Sequence, residues 1–559
     1  MELMGQSLYL VLGVSLCSFL LLRLLWAFAY ATFFSPLRNV PGPFLARYTD
    51  LWHLWRVWRG QFEQDDVALH KKYGPIVRYG PNRYSIQHPT ANKIIYGSGH
   101  EFPKTDRYKA FGSPFDHEWT FLADLNTKRH STNRRYVNTM YSMSTVIKYE
   151  PYVDQVSDIF FQKLAERSIN LAGYTEPLNM CRWFQCFAFD VISKMTYAKR
   201  IGFLDEGKDV GGVMAKLEDM VLHGALVGIF PPLHRFLFPL KNWYYGKRGT
   251  GRKYVVEFTK DIIRSRPDLH LPSLGEKQPN GSANGSAGSS PGSIDTATSA
   301  DGVALDFLAK FWNKHLENPT GFTEYHVLAC CSANMFSGSD TTAITLCAIL
   351  YYMLQNPITM QRLRGEIEDF SARGLLSDKI TFSQSLEMPY VQAVIKEALR
   401  VHPPLGLPIE RWVPAGGTTI AGQFFPEKTT VAVNSWAEHH DIAVWGPDAD
   451  EFKPERWLIE DQEQLANMTR HWMPYGLGSR TCFGRHIAFM EISKLVPNLI
   501  RRFDFDLCNP ENHWHTMNRL FVKPKDFFVR VRALDAFREL QHSNSFEGSI
   551  NASEKLIET

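Results

Sequence analysis

The chain has 559 residues, of which 44% are hydrophobic and 13% aromatic, so it is long enough to bury a large core. Its 61 basic and 58 acidic side chains nearly cancel to a net charge of +3, which excludes a strongly basic nucleic-acid-binding chain. The eight cysteines are sparse and form no CxxC pair, which excludes a disulfide-rich secreted scaffold and is typical of reduced thiols facing the cytosol.

The N-terminal segment from Leu8 to Ala31 is almost wholly apolar, and only Arg23 interrupts it. It is long enough to cross a hydrocarbon core of roughly 30 Å, with Arg23 near enough to one end to reach the headgroups. A cleaved signal peptide is the alternative, but no Lys or Arg precedes the segment and the apolar run is too long for one. Because Arg38 and further arginines follow, the positive-inside rule puts the rest of the chain in the cytoplasm. We therefore predict a single-pass transmembrane anchor over residues 1–34.

A proline-rich stretch follows the anchor. Val40-Pro41-Gly42-Pro43 cannot continue a helix, so residues 35–44 are predicted to form a stiff hinge between the membrane and the body. Beyond the hinge, short β-like runs at 76–79 and 84–86 predict small strands ahead of a mostly helical body. The fold class predicted for residues 45–535 is therefore mainly α with small β-sheets.

Two segments are predicted to lie outside this helical packing. Residues 272–302 are dense in Gly, Ser, Asn and Pro, a composition typical of a disordered surface insert. Residues 536–559 are polar and are predicted to form a flexible C-terminal tail.

The longest predicted helix runs from Thr323 to Gln355 and contains no proline. Thr323 can cap its start, and Asn356-Pro357 ends it. Its middle, however, holds Ser337-Gly338-Ser339-Asp340-Thr341-Thr342, a cluster of poor helix formers. A local rule that is broken inside an otherwise consistent helix indicates a functional site.

The strongest chemical signal is the stretch from Tyr475 to Gly484, which reads Tyr-Gly-Leu-Gly-Ser-Arg-Thr-Cys-Phe-Gly. Its glycines let the backbone bend tightly and come close to a flat cofactor. Cys482 stands at the start of a predicted helix, where free amide groups and the helix dipole favour the thiolate that ligates metal. A buried cysteine in a glycine-rich turn is one alternative. A zinc pair with His486 is another, although no third or fourth ligand lies nearby in the sequence.

This pattern, aromatic-x-x-Gly-x-Arg-x-Cys-x-Gly, resembles the haem-binding loop of the cytochrome P-450 superfamily. The resemblance implies the cytochrome P-450 fold, haem b as the cofactor and Cys482 as the axial thiolate ligand of its iron. It also implies that Arg480 lies near a haem carboxylate and that Tyr475, where the family usually has Phe, shields the thiolate.

Two further motifs follow the order of the family. Glu397-Ala-Leu-Arg400 places opposite charges on one helix face, and Pro-Glu-Arg456-Trp supplies a second arginine. By resemblance, Glu397, Arg400 and Arg456 form a buried network behind the haem, in which each charge needs its partners.

Three more residues resemble positions that bind the haem propionates. His130 and Arg134 lie in a segment similar to the propionate-binding helix, with His130 where the family often has Trp. Arg411 resembles another propionate-binding arginine, and bidentate pairing with carboxylates suits this residue type. Without the resemblance, these residues would be interpreted as surface side chains.

The cluster in the long helix resembles the family's oxygen-activation motif. Gly338 is predicted to leave room for dioxygen, and Asp340 and Thr341 are predicted to form the acid–alcohol pair that delivers protons. Without Cys482, the cluster would be interpreted as a kink in a core helix.

The resemblance implies an NADPH-dependent monooxygenase that activates O2 to oxidise a lipophilic small molecule. Electrons are expected from a membrane-bound NADPH diflavin reductase, with Lys128, Arg129 and Arg135 as its docking residues or, equally, as a solvated helix face. The sequence is similar to fungal enzymes of the pisatin-demethylase-like group, which implies a role in secondary metabolism at the endoplasmic reticulum membrane.

Two other functions are considered. A haem-thiolate isomerase or dehydratase would work without a reductase, and a non-catalytic membrane haem protein would act as a sensor or carrier. The first often lacks the acid–alcohol pair and the second has no need of it, so Asp340 and Thr341 argue against both.

Overall fold

The computed structural model describes residues 13–534 apart from 16–17, 20–21, 24, 27, 98–101, 169–175, 267–304 and 512–513. The predicted insert and the predicted tail lie outside the described residues, as does much of the predicted anchor. The described residues between 13 and 29 are helical, and a π-helical turn follows at Tyr30–Phe34. Within the described ranges no single helix is long and apolar enough to cross a membrane. Two consecutive helices, Glu324–Gln355 and Pro357–Ala372, meet this criterion of length and composition only when they are taken together, and they are bent by 107° at the break between them.

Helices make up the body of the protein, as predicted. In chain order they are α1 Leu51–Arg59, α2 Phe62–Tyr73, α3 Ala91–Tyr96, α4 Thr127–Val137, α5 Met143–Val146, α6 Glu150–Ser168, α7 Met180–Tyr197, α8 Phe203–Glu206, α9 Val213–Val227, α10 His234–Tyr244, α11 Arg252–Arg264, α12 Phe307–Glu317, α13 Glu324–Gln355, α14 Pro357–Ala372, α15 Phe382–Leu386, α16 Pro389–Val401, α17 Ser435–His439, α18 Ile442–Trp445, α19 Gln462–His471 and α20 Arg485–Arg502. Short 3-10 turns lie at Leu45–Arg47, Asp106–Phe111, Asn138–Tyr141, Ile147–Tyr149, Val210–Gly212, Pro231–Leu233, Pro454–Trp457 and Gly478–Arg480.

The strands are short and form small sheets. They are β1 Ile76–Gly80, β2 Arg83–Ile86, β3 Leu178–Asn179, β4 Arg411–Trp412, β5 Thr418–Ile420, β6 Gln423–Phe425, β7 Thr430–Ala432, β8 Phe503–Leu507, β9 His515–Asn518, β10 Val522–Lys525 and β11 Phe528–Ala533. The largest sheet has the order β1-β2-β7-β4, with β2 and β7 parallel and the other neighbours antiparallel. A second sheet has the order β3-β11-β8, and β5–β6 and β9–β10 form antiparallel pairs. The strands predicted at 76–79 and 84–86 are confirmed as β1 and β2.

Helix α13 is the centre of the helical core, where it packs on α7, α12, α16 and α20. It begins and ends as predicted. Thr323 forms a capping box with His326, whose Nδ1 accepts the Thr323 amide at 3.1 Å, and Asn356 ends the helix.

The cluster of poor helix formers does not interrupt α13. Two of its hydroxyl groups bond to carbonyl groups one turn earlier, which gives them partners within the helix. The Thr341 hydroxyl donates to Ser337 O at 2.7 Å, and the Ser339 hydroxyl donates to Met335 O at 2.9 Å. The cluster is therefore held in place at the point where α13 crosses the core.

The proline-rich segment 35–44 is non-helical and lies against β1. Leu37 and Val40 are buried, and the amide of Arg78 in β1 donates to Pro41 O at 2.8 Å. At Gly42 an added Cβ would collide with the carbonyl of Arg78, so only glycine allows this close approach. These contacts fix the point at which the N-terminal segment leaves the body.

Candidate functional site

A cavity of about 350 Å³ lies between α13 and the loop that precedes α20. Its wall includes Gly338, Thr341 and Thr342 from α13, and Tyr475 and Cys482 from the loop. A mainly apolar cavity in which a few charged groups converge is typical of a ligand or cofactor site.

The cysteine loop is shaped by its backbone. The amide of Cys482 donates to Tyr475 O at 2.9 Å, which closes the loop on itself. Gly476 and Gly478 have φ values of +68° and +66°, a region that residues with a Cβ rarely adopt. At Gly478 an added Cβ would also collide with the carbonyl of Tyr96, so this glycine is required twice over.

The Cys482 side chain lies deep in the protein, yet it is accessible because its surface faces the cavity. Burial raises the pKa of its thiol, while the amide of Gly484 and the guanidinium groups of Arg134 and Arg485 oppose that shift. Ligation by a metal requires the deprotonated form, so a bound cation would complete the change to the thiolate.

Other metal ligands are not clustered around this sulfur. Within the described part of the chain, no group of three or more His, Cys, Asp and Glu side chains could hold a metal ion. The zinc pair with His486 therefore gains no further ligand from the described residues. A single sulfur facing a cavity suits a metal that brings its other ligands with it, as the iron of haem does.

Basic side chains converge on the same cavity. The cavity wall includes Lys104, His130, Arg134, Arg411 and Arg480. Burial and the neighbouring cations lower the pKa of Arg480 to about 10, with Arg411 adding to the effect of burial, and they lower the pKa of His130 to about 2. The pKa of Lys104 falls well below its usual value for the same reasons.

No carboxylate of the described residues lies within ion-pair distance of Lys104, Arg134, Arg411 or Arg480. The nearby Asp124 is paired with Arg129 at 2.8 Å. A cluster of buried and half-buried basic side chains without counter-ions indicates a site for an anionic ligand. The two propionates of haem fit that requirement, and Cys482 faces the same cavity, so the residues present fit this cofactor.

The predicted ionic contacts among Glu397, Arg400 and Arg456 are present in the structure, outside the cavity wall. Glu397 accepts Arg400 Nη2 at 2.8 Å and Arg456 Nε at 2.9 Å. Arg400 and Glu397 are fully buried, and Arg400 also donates to three backbone carbonyls, those of His439, Ala449 and Glu451. Every charge here has its partner.

The two members of the predicted acid–alcohol pair point to different surroundings. Thr341 lines the cavity, whereas Asp340 is not among its lining residues and is 2% exposed. Asp340 accepts Gln185 Nε2 at 2.6 Å and forms an ion pair with Lys523 Nζ at 2.7 Å. Burial opposes the charge on Lys523, but Asp340 and Glu218 outweigh it and raise the Lys523 pKa. The structure thus holds Asp340 in an ion pair, and its part in proton delivery stays a prediction.

Gly338 also lines the cavity, but its missing Cβ has a second consequence. An added Cβ would press against Ile192 of α7. Glycine at this position therefore lets α7 pack closely on α13, and the predicted room for dioxygen stays a prediction.

Sequence reasoning missed Lys104 and Lys523. No motif surrounds Lys104, so nothing in the sequence marked it as buried. Lys523 follows Leu520 and Phe521, which line the cavity, but no motif surrounds it either.

Comparison with known proteins gives a consistent result. A family model described as Cytochrome P450 matches residues 41–531. A cytochrome P450 monooxygenase from Aspergillus terreus is 35% identical over 84% of this chain and 90% of the relative. A pisatin demethylase from Fusarium vanettenii is 35% identical over 90% of each protein, and the cytochrome P450 monooxygenase cicH from Emericella nidulans is 33% identical over 93% of this chain and 100% of the relative. The matched range includes α13, the ionic network and the cysteine loop.

Proposed function

Because the chain belongs to the cytochrome P450 family, we propose that Cys482 binds the iron of a monooxygenase that oxidises a lipophilic small molecule in fungal secondary metabolism. Membership of the family makes the chain a monooxygenase whose haem is held by a cysteine thiolate and whose electrons come from a redox partner. One observation carries the choice of Cys482. Among the cysteines that the structure describes, it alone lines the cavity.

Haem with a thiolate ligand supplies the cleavage of O2 and the insertion of one oxygen atom into the substrate. The residues of this chain bind and orient it. Arg134, Arg411 and Arg480 offer guanidinium groups to the two propionates. Tyr475 and Phe483 line the cavity together with Cys482, and their aromatic rings would shield the sulfur side from water.

The remaining cavity wall supports a lipophilic substrate. Phe336 and Phe521 lie with ring centroids 6.0 Å apart, and Ile192 and Leu405 add further apolar surface. Thr341 brings a hydroxyl group to this wall, so it is the residue that we propose to hold a proton at the cavity.

The ligand assignment is tested by the carbon-monoxide difference spectrum of the reduced protein. Wild type is expected to show the absorption band typical of thiolate-ligated haem, and Cys482→Ser is expected to lose it. Cys508→Ser is the matched control, because Cys508 is a half-exposed cysteine in a different part of the chain. A Cys482→Ser protein that keeps the thiolate band would refute the assignment.

We also propose that the chain is anchored in the endoplasmic reticulum membrane and that α10 lies at the bilayer surface. In support, the described side chains Leu22 and Trp26 of the predicted anchor are 65% and 66% exposed. In α10, Trp243 is 79% and Phe236 62% exposed, and aromatic side chains of this kind favour the membrane interface.

Flotation with phosphatidylcholine vesicles tests both contacts. The full chain is expected to float with the vesicles, and deletion of residues 1–34 is expected to weaken this binding. Trp243→Ser in the shortened chain is expected to weaken it further, whereas Trp514→Ser, on a ring stacked against Tyr351, should not. Equal binding by all these proteins would contradict the proposal.

The redox partner that we propose is a membrane-bound NADPH diflavin reductase that docks on α4. Lys128 and Arg135 of α4 are exposed, while Arg129 is engaged with Asp124 and is less available. Lys128→Glu with Arg135→Glu is expected to slow reduction by such a reductase at low ionic strength and to have less effect at high ionic strength. An unchanged rate of reduction at low ionic strength would show that the reductase does not dock on this face of α4.

A further inference from the structure

Helix α20 carries a buried carboxyl group that the activity described above does not use. Glu491 is fully buried, and neither of its carboxyl oxygens has a hydrogen-bond partner within the part of the chain that the structure describes. No Lys, Arg or His of the described residues forms an ion pair with it. Its neighbours in α20, among them Met490 and Leu495, belong to the hydrophobic core.

Two other carboxylates of this protein are buried to the same extent but are surrounded differently. Glu397 has Arg400 and Arg456, and Glu410 has Arg83 and Arg107. An ionised carboxylate without such a partner is so unfavourable in a core that the group takes up a proton instead. Burial accordingly raises the pKa of Glu491 far above its usual value.

The polar group next to Glu491 is the hydroxyl of Thr342, which opposes the rise of the Glu491 pKa but does not outweigh burial. Thr342 is part of α13, which packs directly on α20, and it lines the cavity. The neighbouring Thr341 hydroxyl donates to the backbone of its own helix, at Ser337 O. The Thr342 hydroxyl makes no such bond to the described residues of its own helix, and α20 packs against this part of α13.

We propose that Glu491 is a neutral carboxylic acid that holds the hydroxyl of Thr342, and that it thereby acts as a positioning residue for the α13 wall of the cavity. A protonated carboxyl group can both donate and accept a hydrogen bond, so it can satisfy a hydroxyl without bringing a charge into the core. The contact joins the helix that follows Cys482 to the helix on the opposite side of the cavity. The relevance of this contact to catalysis rests on the proposed haem site, whereas the existence of the contact does not depend on it.

The protonation state is tested by infrared spectroscopy of the haem-loaded protein at slightly alkaline pH, where exposed carboxyl groups are ionised. The difference between wild type and Glu491→Gln is expected to contain the carbonyl stretch of a protonated carboxylic acid, which a carboxylate lacks. Glu455→Gln is the control, because Glu455 is partly exposed and paired with Arg362. Its difference spectrum should show only a carboxylate.

The hydrogen bond is tested by substituting the threonine and leaving Glu491 in place. Thr342→Val is expected to shift the carbonyl stretch of the buried acid to higher frequency, because the bond to the hydroxyl is lost. Thr342→Ser keeps a hydroxyl and is expected to restore the wild-type frequency. These measurements hold even where Glu491→Gln folds poorly.

Two results would overturn the proposal: a carboxylate signal for Glu491 in wild type, or a carbonyl frequency that Thr342→Val leaves unchanged. Neither result depends on the identity of the iron ligand, which the Cys482→Ser spectrum tests separately. Haem content gives a further comparison. Glu491→Gln preserves a neutral donor and acceptor and should load close to wild type, whereas Glu491→Leu, which removes both, should load less.

Discussion

Arginines gather in two regions close to the cavity, and the two regions differ in what balances them. Behind the cavity, Arg400 and Arg456 share Glu397 at 2.8 and 2.9 Å, and further backbone carbonyls accept their remaining hydrogens. At the cavity, Arg134 and Arg480 are half-buried beside other basic side chains, and the described residues offer them no carboxylate within ion-pair distance.

The difference separates structure from ligand binding. A buried charge with all its partners in place belongs to the fold, since it needs nothing from outside. A group of buried cations that repel one another is costly until an anion arrives, so it indicates the place where an anionic ligand binds. On this reasoning the first region should govern folding, and the second should govern the retention of haem.

The largest effect is expected from breaking the balanced region. Arg400→Leu leaves the Glu397 carboxylate buried with one arginine instead of two, and losing one partner of such a network costs about 3–5 kcal/mol. Urea unfolding should show this loss in the free energy of unfolding, with little haem-loaded protein recovered. Arg362→Leu is the control, since Arg362 is 57% exposed and its ion pair with Glu455 lies at the surface. Equal stability of the two variants would contradict the assignment of this network to the fold.

Glu410 is a second buried carboxylate that arginines balance, and it should make the stability of the fold depend on pH. Burial would raise the pKa of Glu410, but Arg83 and Arg107 outweigh it and lower the pKa from 4.5 to about 2. The pKa of Glu410 is lower in the folded than in the unfolded protein. Its contribution to the free energy of unfolding is therefore fully present above pH 4.5 and is lost as the pH falls towards 2. It amounts to about 3 kcal/mol at neutral pH.

The measurement for Glu410 compares the free energy of unfolding of wild type and Glu410→Gln across pH. The gap between the two proteins should be constant above pH 4.5 and should narrow below it. A gap that stays constant to the lowest accessible pH would show that Glu410 has an ordinary pKa.

The unbalanced region should respond in the opposite way. Arg134→Leu is expected to leave the fold intact, because no hydrogen bond to a described residue holds the Arg134 guanidinium, which lies over the ring of Phe483. It should weaken haem binding, since a charge-assisted hydrogen bond contributes about 1.5–3 kcal/mol, or roughly tenfold to a hundredfold in haem release. The rate of haem transfer to an excess of apomyoglobin measures this.

Arg135→Leu is the matched control for Arg134, because it removes the same side chain from the next position of α4, where the side chain is exposed. Haem release should be unchanged in this variant. If both variants release haem at the wild-type rate, the cations at the cavity do not bind the propionates.

Much of this contrast could be predicted from the sequence, because it depends on residues that lie close together in the chain. The bounds of α13 follow from Thr323 and Asn356, and the cysteine loop is marked by its glycines, which the backbone angles require. Glu397 and Arg400 lie one helical turn apart, so their pairing was also accessible.

The rest depends on contacts between segments that are far apart in the chain. Lys523 pairs with Asp340 only because β10 packs beside α13, and no pattern in the sequence predicts that contact. Glu491 lies in a helix where an acidic residue would normally be interpreted as exposed, and only the packing of α13 on α20 shows that it is buried. The resemblance predicts Asp340 and Thr341 as an acid–alcohol pair, but neighbouring residues of a helix point in different directions, and only Thr341 lines the cavity.

The smallest effect is expected at Lys104, and its sign distinguishes the two regions most directly. Its Nζ donates to Leu122 O at 2.6 Å, but burial and the nearby Arg480 and Arg411 disfavour its charge. Lys104→Met removes one of the mutually repelling cations, so the haem-free protein should become more stable, by about 1 kcal/mol. The haem-loaded protein should gain less, because the propionates then have one cation fewer. Thermal unfolding of both forms measures the two shifts. A variant that destabilises the haem-free form as much as the loaded form would show that Lys104 belongs to the fold, as Arg400 does.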